Sequence, residues 1–302
     1  MGNGMRIGVF IDAQDVDGFV ERARASHEAG FPSVWAPQIF GLDALTAIAV
    51  AGREVGDITF GTAVVPTYPR HPMTMGIQAL TTQLATAGRL TLGIGLSHKP
   101  VVENMWGISF EKPARHMEEY LSALMPLLRD KKVGYAGQTL TAMGQLTVSA
   151  DIPPPPVFVA ALGPRMLKIA GTLADGTITW MTGPKTVGAH IVPHITRAAD
   201  EAGKPSPQVV VGLPVAVTDD ENAARELAAS VFAVYGYLPS YRAMLDREGA
   251  EGPPNIVIAG NESSVRAQIE HVFTQGATEL MAAPFFEQER TTALLAELAA
   301  GA

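Results

Sequence analysis

Hydrophobic positions along the chain follow two alternating patterns: short runs of β-branched residues, and longer stretches with apolar residues at helical spacing. The first run is followed by a stretch, 15–30, that opens on the capping residue Asp15 and stops at Gly30, which predicts a helix. The same pairing recurs, and the predicted strands are residues 6–11, 33–37, 58–65, 89–96, 157–162, 175–181, 208–217, 256–260 and 278–285.

About eight strand–helix repeats in a chain of 302 residues predict an α/β fold, a (β/α)8 TIM barrel in a single domain over 1–302. Three irregular segments are predicted as insertions, 97–112, 133–156 and 219–254, and the second is typical of a hairpin with a proline-stiffened connector. A doubly wound sheet is the alternative, but it would favour a glycine fingerprint after the first strand, where the chain has DAQDVDG. In a barrel, the ligand site lies at the C-terminal ends of the strands.

The composition narrows the classes of function. Hydrophobic residues make up 47% of the chain and charged residues 17%, which is enough apolar material for a large buried core. Cysteine is absent, which excludes disulfides, thiolate metal sites and a thiol nucleophile, and which fits a reducing compartment. The net charge of −8 includes no long basic run, so nucleic acid is not expected as a partner.

The sequence also predicts where the protein works. No apolar stretch reaches the roughly 18 residues that span a bilayer, so no membrane partner is expected. The start, MGNGMRIGVF, lacks the charged-then-apolar pattern of a secretion signal, which favours a cytoplasmic location. We expect Met5 to be the native start and residues 1–4 to be an addition to it.

Residues at or just beyond the predicted strand ends carry the candidate chemistry. Few of them are carboxylates, and the seven histidines show neither HxH nor HExxH spacing, so a glycosidase, a zinc hydrolase and a bound metal are not expected. Side chains so poorly equipped for bond cleavage favour an organic cofactor that carries the chemistry. The stretch LGIGLSHK at 92–99 contains GxG followed by His98, which is only a weak signal for a phosphate loop.

Three motifs in order, GTAVVPTYPRHP, GRLTLGIGLSH and VFVAALGPRMLKIAGTLADGTITWMTG, resemble the luciferase-like monooxygenase superfamily. The closer resemblance is to its coenzyme F-420 (deazaflavin)-dependent oxidoreductase branch of actinobacterial type, from the first strand to the last helix. It implies an enzyme that transfers a hydride between C5 of the deazaflavin and a small-molecule substrate, as a reductase of an activated C=C, C=N or carbonyl group. It also implies a homodimer, for which the apolar helices DALTAIAVAG and ITRAADEAG are candidates.

The resemblance also implies the cofactor contacts. It places a β-bulge with a non-prolyl cis peptide between Ala63 and Val64, pressing on the central ring of the deazaflavin, with an exit loop stiffened by Pro66. It places the cofactor phosphate at the helix start formed by Gly163 and Pro164, where backbone N–H groups are free. The predicted cofactor-binding residues are Gln38, Ala63, Val64, Val65, Pro66, Ser97, His98, Ala161, Leu162, Gly163, Pro164, Arg165 and Trp180.

Charged and titrating residues near these motifs are predicted to assist. Arg165 and Lys168 add positive charge beside the phosphate, and Arg70 and His71 are candidates for the acidic tail of the cofactor. His98 is the candidate catalytic residue, because it is the plausible titrating group where several deazaflavin enzymes carry a Glu. This departure argues against a sugar-phosphate dehydrogenase of that branch.

Several alternatives stay open on the residues alone. An FMN-dependent monooxygenase of the same superfamily would need a separate reductase and a dry oxygen pocket. A non-catalytic deazaflavin-binding protein would suit the sparse acid–base set around Gln38 and His98. A cofactor-free barrel hydrolase ranks last for want of carboxylates. An ordinary trans strand end at Ala63, a plain turn at Gly163, a loop-capping role for His98 and a core role for Trp180 are also compatible with the pattern.

Overall fold

The computed structural model describes residues 5–149 and 151–301 and confirms the TIM barrel. Its strands are Ile7–Phe10 (β1), Ser33–Ala36 (β2), Thr59–Thr62 (β3), Val65–Pro66 (β4), Leu90–Gly95 (β5), Lys132–Ala136 (β6), Thr141–Gln145 (β7), Val157–Val159 (β8), Gly176–Trp180 (β9), Gln208–Val217 (β10), Ile258–Gly260 (β11) and Glu279–Phe286 (β12). The parallel barrel runs β1-β2-β3-β5-β8-β9-β10-β12, and β12 pairs back with β1. Strand β4 continues β3 and pairs with β5. The addition expected at residues 1–4 lies outside the described residues.

The helices surround this barrel, and several of them begin at a side-chain cap. They are Val16–Glu28 (α1), Ala44–Glu54 (α2), Pro72–Ala85 (α3), Pro113–Asp130 (α4), Pro164–Leu173 (α5), Pro184–Thr186 (α6), Val192–Glu201 (α7), Glu221–Val231 (α8), Pro239–Glu248 (α9), Glu262–Thr274 (α10) and Gln288–Ala300 (α11). The side chains of Asp15, Asp43 and Asn261 each accept a hydrogen bond from a backbone N–H in the first turn of the helix that follows. These caps help to fix where the chain turns into a helix.

Two predicted elements take a different form. The predicted strand at 256–260 is β11, which pairs with the end of the long strand β10 and lies outside the closed ring of eight strands. The helix predicted near 184–203 is divided into α6, a π turn at Val187–Ile191 and α7. Pro193 lacks an N–H group and cannot make a regular helical hydrogen bond, which accounts for the irregular turn before it.

The three segments predicted as insertions have defined structures. In 133–156, strands β6 and β7 form the predicted antiparallel hairpin. Its turn is held by the buried carboxylate of Glu119, which accepts the N–H groups of Gln138 (3.0 Å) and Thr139 (2.7 Å). Segment 97–112 contains a π turn at Val101–Met105, and 219–254 contains α8, α9 and two 3-10 turns.

A buried carboxylate organises the N-terminal end of the barrel, opposite the predicted ligand face. Glu279 accepts hydrogen bonds from the Arg6 guanidinium (2.7 Å), the Trp35 indole (2.8 Å) and the Ser33 hydroxyl. The Trp35 ring in turn lies on Gly61, where an added Cβ would come within 2.2 Å of Trp35 Cε3. These contacts join β1, β2, β3 and β12 and border a cavity of about 160 Å³.

Two features are absent from the described part of the chain. Across residues 5–149 and 151–301, no helix has both the length and the apolar character needed to cross a membrane. Over the same ranges, His, Asp and Glu side chains form no cluster of three or more that could hold a metal ion.

Candidate active site

The third barrel strand is interrupted at its C-terminal end, between β3 and β4. The Ala63–Val64 peptide bond there is cis, as predicted. Ala63 donates its N–H to the carbonyl of Ala36 (2.8 Å), and Thr67 donates its N–H to the carbonyl of Gly95 (2.9 Å), so both neighbouring strands hold the interruption. The Val64 side chain lies over Gly95, where an added Cβ would come within 2.6 Å of Val64 Cγ2. Glycine at position 95 therefore leaves room for the interrupted strand.

Four side chains form an apolar floor at the mouth of the barrel. Phe10, Ala63, Val64 and Trp180 all pack on the cluster that fills the barrel interior, which consists of Trp35, Phe158, Ile178, Val210 and Met281. The rings of Phe10 and Trp180 are stacked, with centroids 5.5 Å apart and an interplanar angle of 23°. Trp180 also covers Gly212, where an added Cβ would lie 2.8 Å from Trp180 Cε3. The fold thus brings three of the predicted cofactor contacts onto one surface.

The start of α5 offers free backbone donors beside two cations. Gly163 is an extended residue that caps the helix without a side-chain hydrogen bond, and Pro164 occupies the first turn. Arg165 and Lys168 are exposed and form no hydrogen bond or ion pair within the described residues. Free N–H groups, a helix dipole and unpaired cations together suit an anion.

The next helix start along the barrel, at α6, already holds a carboxylate of the chain. Glu248 on α9 accepts the N–H groups of Lys185 (3.1 Å) and Thr186 (2.7 Å), and also the Thr186 hydroxyl (2.6 Å). Gly183 makes this approach possible, since an added Cβ would lie 2.3 Å from Glu248 Cδ. Of the two helix starts, α5 is therefore the one without an internal acidic cap.

The loop before α5 is held by His190, a residue that the sequence analysis missed. His190 Nε2 lies 2.8 Å from the carbonyl oxygen of Leu162, and because a carbonyl can only accept, Nε2 carries the hydrogen. His190 is only 4% exposed, and burial lowers its pKa against the opposing effect of this hydrogen bond. Pro193 is a signal in the sequence for an irregular turn just before it, but it does not reveal that the turn brings His190 into contact with the loop before α5.

His98 lies at the rim, just after β5. The preceding Ser97 has a positive φ of 61°, which turns the chain away from the strand direction. The His98 ring is half-buried and makes no hydrogen bond within the described residues. Burial lowers the pKa of His98 below its usual 6.5, so the ring is neutral at pH 7 and offers one donor and one acceptor. The ring is therefore available to hydrogen-bond a ligand.

Gln38 and its neighbours are engaged within the protein. The Gln38 side chain accepts the N–H of Ala44 (3.2 Å) and donates to Asp43 Oδ2 (3.2 Å), so both of its polar atoms serve the start of α2. Arg70 is paired with Asp43, and His71 caps α3. Burial would raise the pKa of Asp43, but hydrogen bonds at the helix start and the charge of Arg70 lower it overall. These contacts stiffen the rim and leave little capacity for a cofactor.

Behind the exit loop of the third strand, two rings form a neutral stacked pair. Tyr68 lies on His116 with centroids 4.1 Å apart, and His116 Nε2 is 3.1 Å from the Thr67 hydroxyl. Burial and the charge of Glu103 raise the pKa of Tyr68 to about 12, while burial lowers that of His116 to about 4 against the charge of Glu119. Neither group is ionised at pH 7, which suits their packed position.

The insertion at 219–254 supplies two aromatic rings to the mouth. The Trp180 ring contacts Tyr235 (6.1 Å between centroids), Tyr235 contacts Tyr241 (4.9 Å), and Tyr241 contacts His98 (5.8 Å). Together with the Phe10–Trp180 stack, these contacts form a continuous series that we call the aromatic wall: Phe10, Trp180, Tyr235, Tyr241 and His98. The only sequence signal was the aromatic-rich stretch YGYLPSYR inside the insertion.

The barrel and the residues gathered at its mouth define a TIM-barrel enzyme. The sequence profile described as luciferase-like monooxygenase matches residues 5–286, and the chain belongs to that family. A protein of Mycobacterium tuberculosis described as a coenzyme F-420-dependent oxidoreductase is 27% identical over 246 residues, covering 74% of this chain and 70% of the relative.

Solved structures share the fold at lower identity. The coenzyme F-420-dependent tetrahydromethanopterin reductase of Methanopyrus kandleri superposes with a TM-score of 0.82 at 21% identity, covering 97% of this chain and 98% of that one. An FMN complex of the oxygenating component of 3,6-diketocamphane monooxygenase from Pseudomonas putida gives 0.77 at 16% identity, covering 99% and 98%. At these identities the likeness shows the fold alone.

Proposed function

We propose that this enzyme is a coenzyme F-420-dependent oxidoreductase that transfers a hydride between C5 of the deazaflavin and a small organic substrate, acting as a reductase. One observation carries the proposal: an apolar floor and a helix start without a side-chain cap, beside two unpaired cations, lie on the same face of the barrel. The tricyclic ring of the deazaflavin needs an apolar surface, and the phosphate of the cofactor needs a site for an anion. The F-420-dependent relative from Mycobacterium tuberculosis supports the choice of cofactor.

The residues present fit a deazaflavin. Ala63, Val64 and Trp180 would hold the ring system, because they form the floor and carry no charge. The backbone at Gly163 would hold the phosphate, with Arg165 beside it. Gln38 would support the cofactor site indirectly, by stiffening the start of α2, because its polar atoms are already hydrogen-bonded there. The cofactor roles of Val65, Pro66, Ser97, Ala161, Leu162 and Pro164 remain predictions of the same proposal.

The chain's own contribution is placement, exclusion of water and a proton. When bound, the deazaflavin supplies the hydride, so reduction of a C=C, C=N or C=O bond also needs one proton. His98 is placed at the rim, where burial lowers its pKa and keeps the resting ring neutral. Because the ring is only half-buried, it can take a proton from solvent, and the imidazolium then donates one proton to the substrate and returns to the neutral form.

Titration of the purified protein with coenzyme F-420 and, separately, with FMN tests the cofactor. We expect clearly tighter binding of the deazaflavin, followed by absorbance and by tryptophan quenching. Equal or tighter binding of FMN would favour the alternative of an FMN-dependent monooxygenase. FMN is the cofactor in the structure of the Pseudomonas putida neighbour. Turnover of enones and imines with reduced F-420 then separates an enzyme from a non-catalytic deazaflavin-binding protein.

A further inference from the structure

The aromatic wall is a built surface that begins at the floor of the mouth. Phe10 and Trp180 belong to the same packed cluster as Ala63 and Val64, so the wall starts where the cofactor ring is proposed to lie. It then runs through the two tyrosines of the insertion to His98, at the end of another strand. A molecule above the floor would therefore have this wall along one side.

The insertion holds its part of the wall firmly. Tyr241 lies on α9, and the same helix is fastened to the start of α6 by the three hydrogen bonds of Glu248. Arg242 adds bonds to the carbonyls of Ala250 (2.7 Å) and Glu251 (2.8 Å), which secure the chain beyond the helix. Tyr241 is thus presented on a fastened helix rather than on a loose loop.

The wall carries no charge at neutral pH. Burial raises the pKa of Tyr235 and of Tyr241 and lowers the pKa of His98, so all three stay uncharged. The rim cation Arg70 is already neutralised by Asp43. The charge of Asp12 also raises the pKa of Tyr235, so a carboxylate lies near this surface. An anionic molecule would therefore lose water here without gaining a counter-ion, whereas a flat neutral one would gain ring contacts.

We propose that the aromatic wall binds a flat, uncharged, conjugated carbonyl compound that accepts a hydrogen bond at its carbonyl oxygen from His98. The rings of Tyr235 and Tyr241 lie at 75° to each other, so the compound would stack on one of them and contact the other edge-on. Tyr235 and Tyr241 are then the residues that determine substrate specificity. The inference rests on the proposed function, in which a reduced deazaflavin on the floor acts on this compound. It adds the class of substrate and two contact residues that the motifs did not indicate.

The test compares two ligands that differ in charge. Calorimetric titration would use 4-phenyl-3-buten-2-one, which is neutral and conjugated, and its analogue with a carboxylate at the para position of the ring, with and without F-420. We expect the neutral ketone to bind about tenfold more tightly or better. Tyr235→Leu and Tyr241→Leu should each weaken its binding by up to about tenfold, as lost ring contacts would. Tyr241→Phe keeps the ring and should bind like the wild type.

The matched control is Tyr237→Leu, which changes a tyrosine of the same segment that is 85% exposed and outside the wall. The proposal is overturned if the carboxylate binds as well as the ketone, if neither binds, or if all three leucine variants behave alike while remaining folded by circular dichroism. If Tyr241→Leu fails to fold, the proposal is still tested by Tyr235→Leu and by the comparison of the neutral ketone with its carboxylate analogue. Ketone binding without F-420 binding would refute the proposed function and leave the wall supported, so the two failures are distinguishable.

Discussion

At the scale of single residues, the structure separates side chains that are free from side chains that are already committed. Gln38 and Arg70 have the right chemistry for a cofactor, but their polar atoms serve the start of α2. Arg165 and His98 have no such partner within the described residues. The sequence indicates which residues stand at strand ends, but whether a polar atom is already bonded depends on contacts that only the folded chain defines.

Arg165 should contribute to cofactor binding through its charge. We expect Arg165→Ala to raise the dissociation constant for coenzyme F-420 several-fold at low salt, and the difference from wild type to shrink at high salt, because screening weakens a charge–phosphate contact. Arg197→Ala is the control, since Arg197 is another exposed arginine without an ion pair in the described residues, on α7. An unchanged dissociation constant in Arg165→Ala would remove this residue from the site.

His116 should make the fold sensitive to acid. In the unfolded chain its pKa is near 6.5, and in the folded protein burial lowers it to about 4, so the unfolded state binds more protons between these values. The free energy of unfolding therefore falls as pH drops through this window, by at most about 3 kcal/mol, and this residue adds no pH dependence above it. We expect His116→Phe, which keeps the stack on Tyr68, to lose less stability than wild type between pH 7 and pH 5 in urea unfolding.

At the scale of elements, close approaches between strands explain why glycine is placed where it is. The Trp35 ring packs directly on Gly61, and the Val64 side chain packs directly on Gly95. The β-strand runs and the helix caps were predictable because they depend on local pattern. Two features were not predictable, because they depend on contacts between distant residues. One is that β12 and not β11 closes the barrel, and the other is the division of the helix near 184–203.

Gly61→Ala tests the packing under Trp35. The added methyl group would come within 2.2 Å of the ring, which is itself fixed by its hydrogen bond to Glu279, so we expect a loss of about 1–3 kcal/mol in the free energy of unfolding. Gly134→Ala is the control, because this strand glycine of β6 has nothing within 4 Å of an added Cβ. Equal stability of the two variants would show that the Trp35 ring can move aside.

His190 tests the support of the loop before α5. Loss of its hydrogen bond to Leu162 should loosen the loop, so we expect His190→Ala to weaken binding of F-420 more than binding of the deazaflavin riboside, which lacks the phosphate. His190→Gln keeps an N–H donor and should restore part of the affinity. An equal loss for both ligands would assign His190 to general stability instead.

At the scale of the whole molecule, an apolar surface lies on the outside of the barrel. Val50 on α2, and Ile77 and Leu84 on α3, are 38%, 46% and 38% exposed. Ile77 and Leu84 are seven residues apart, which puts them on one face of their helix. The sequence predicted α2 as a candidate for a dimer contact, and these exposed residues are consistent with that prediction.

We expect the protein to be a homodimer that associates through this surface. Ile77→Glu would place a charge in the contact and should shift the mass measured by sedimentation equilibrium from dimer to monomer. Leu227→Glu is the control, since Leu227 is 37% exposed on α8, away from these helices. A wild-type protein that sediments as a monomer would contradict the prediction.

Closure of the barrel by β12 has a consequence for biosynthesis. Until residues 279–286 have left the ribosome, β1 and β10 lack their shared neighbour, and Trp35 and Arg6 lack the carboxylate that joins them. The nascent chain therefore presents two open strand edges, which can pair with other chains. Chaperones that shield such edges during translation should increase the yield of folded protein.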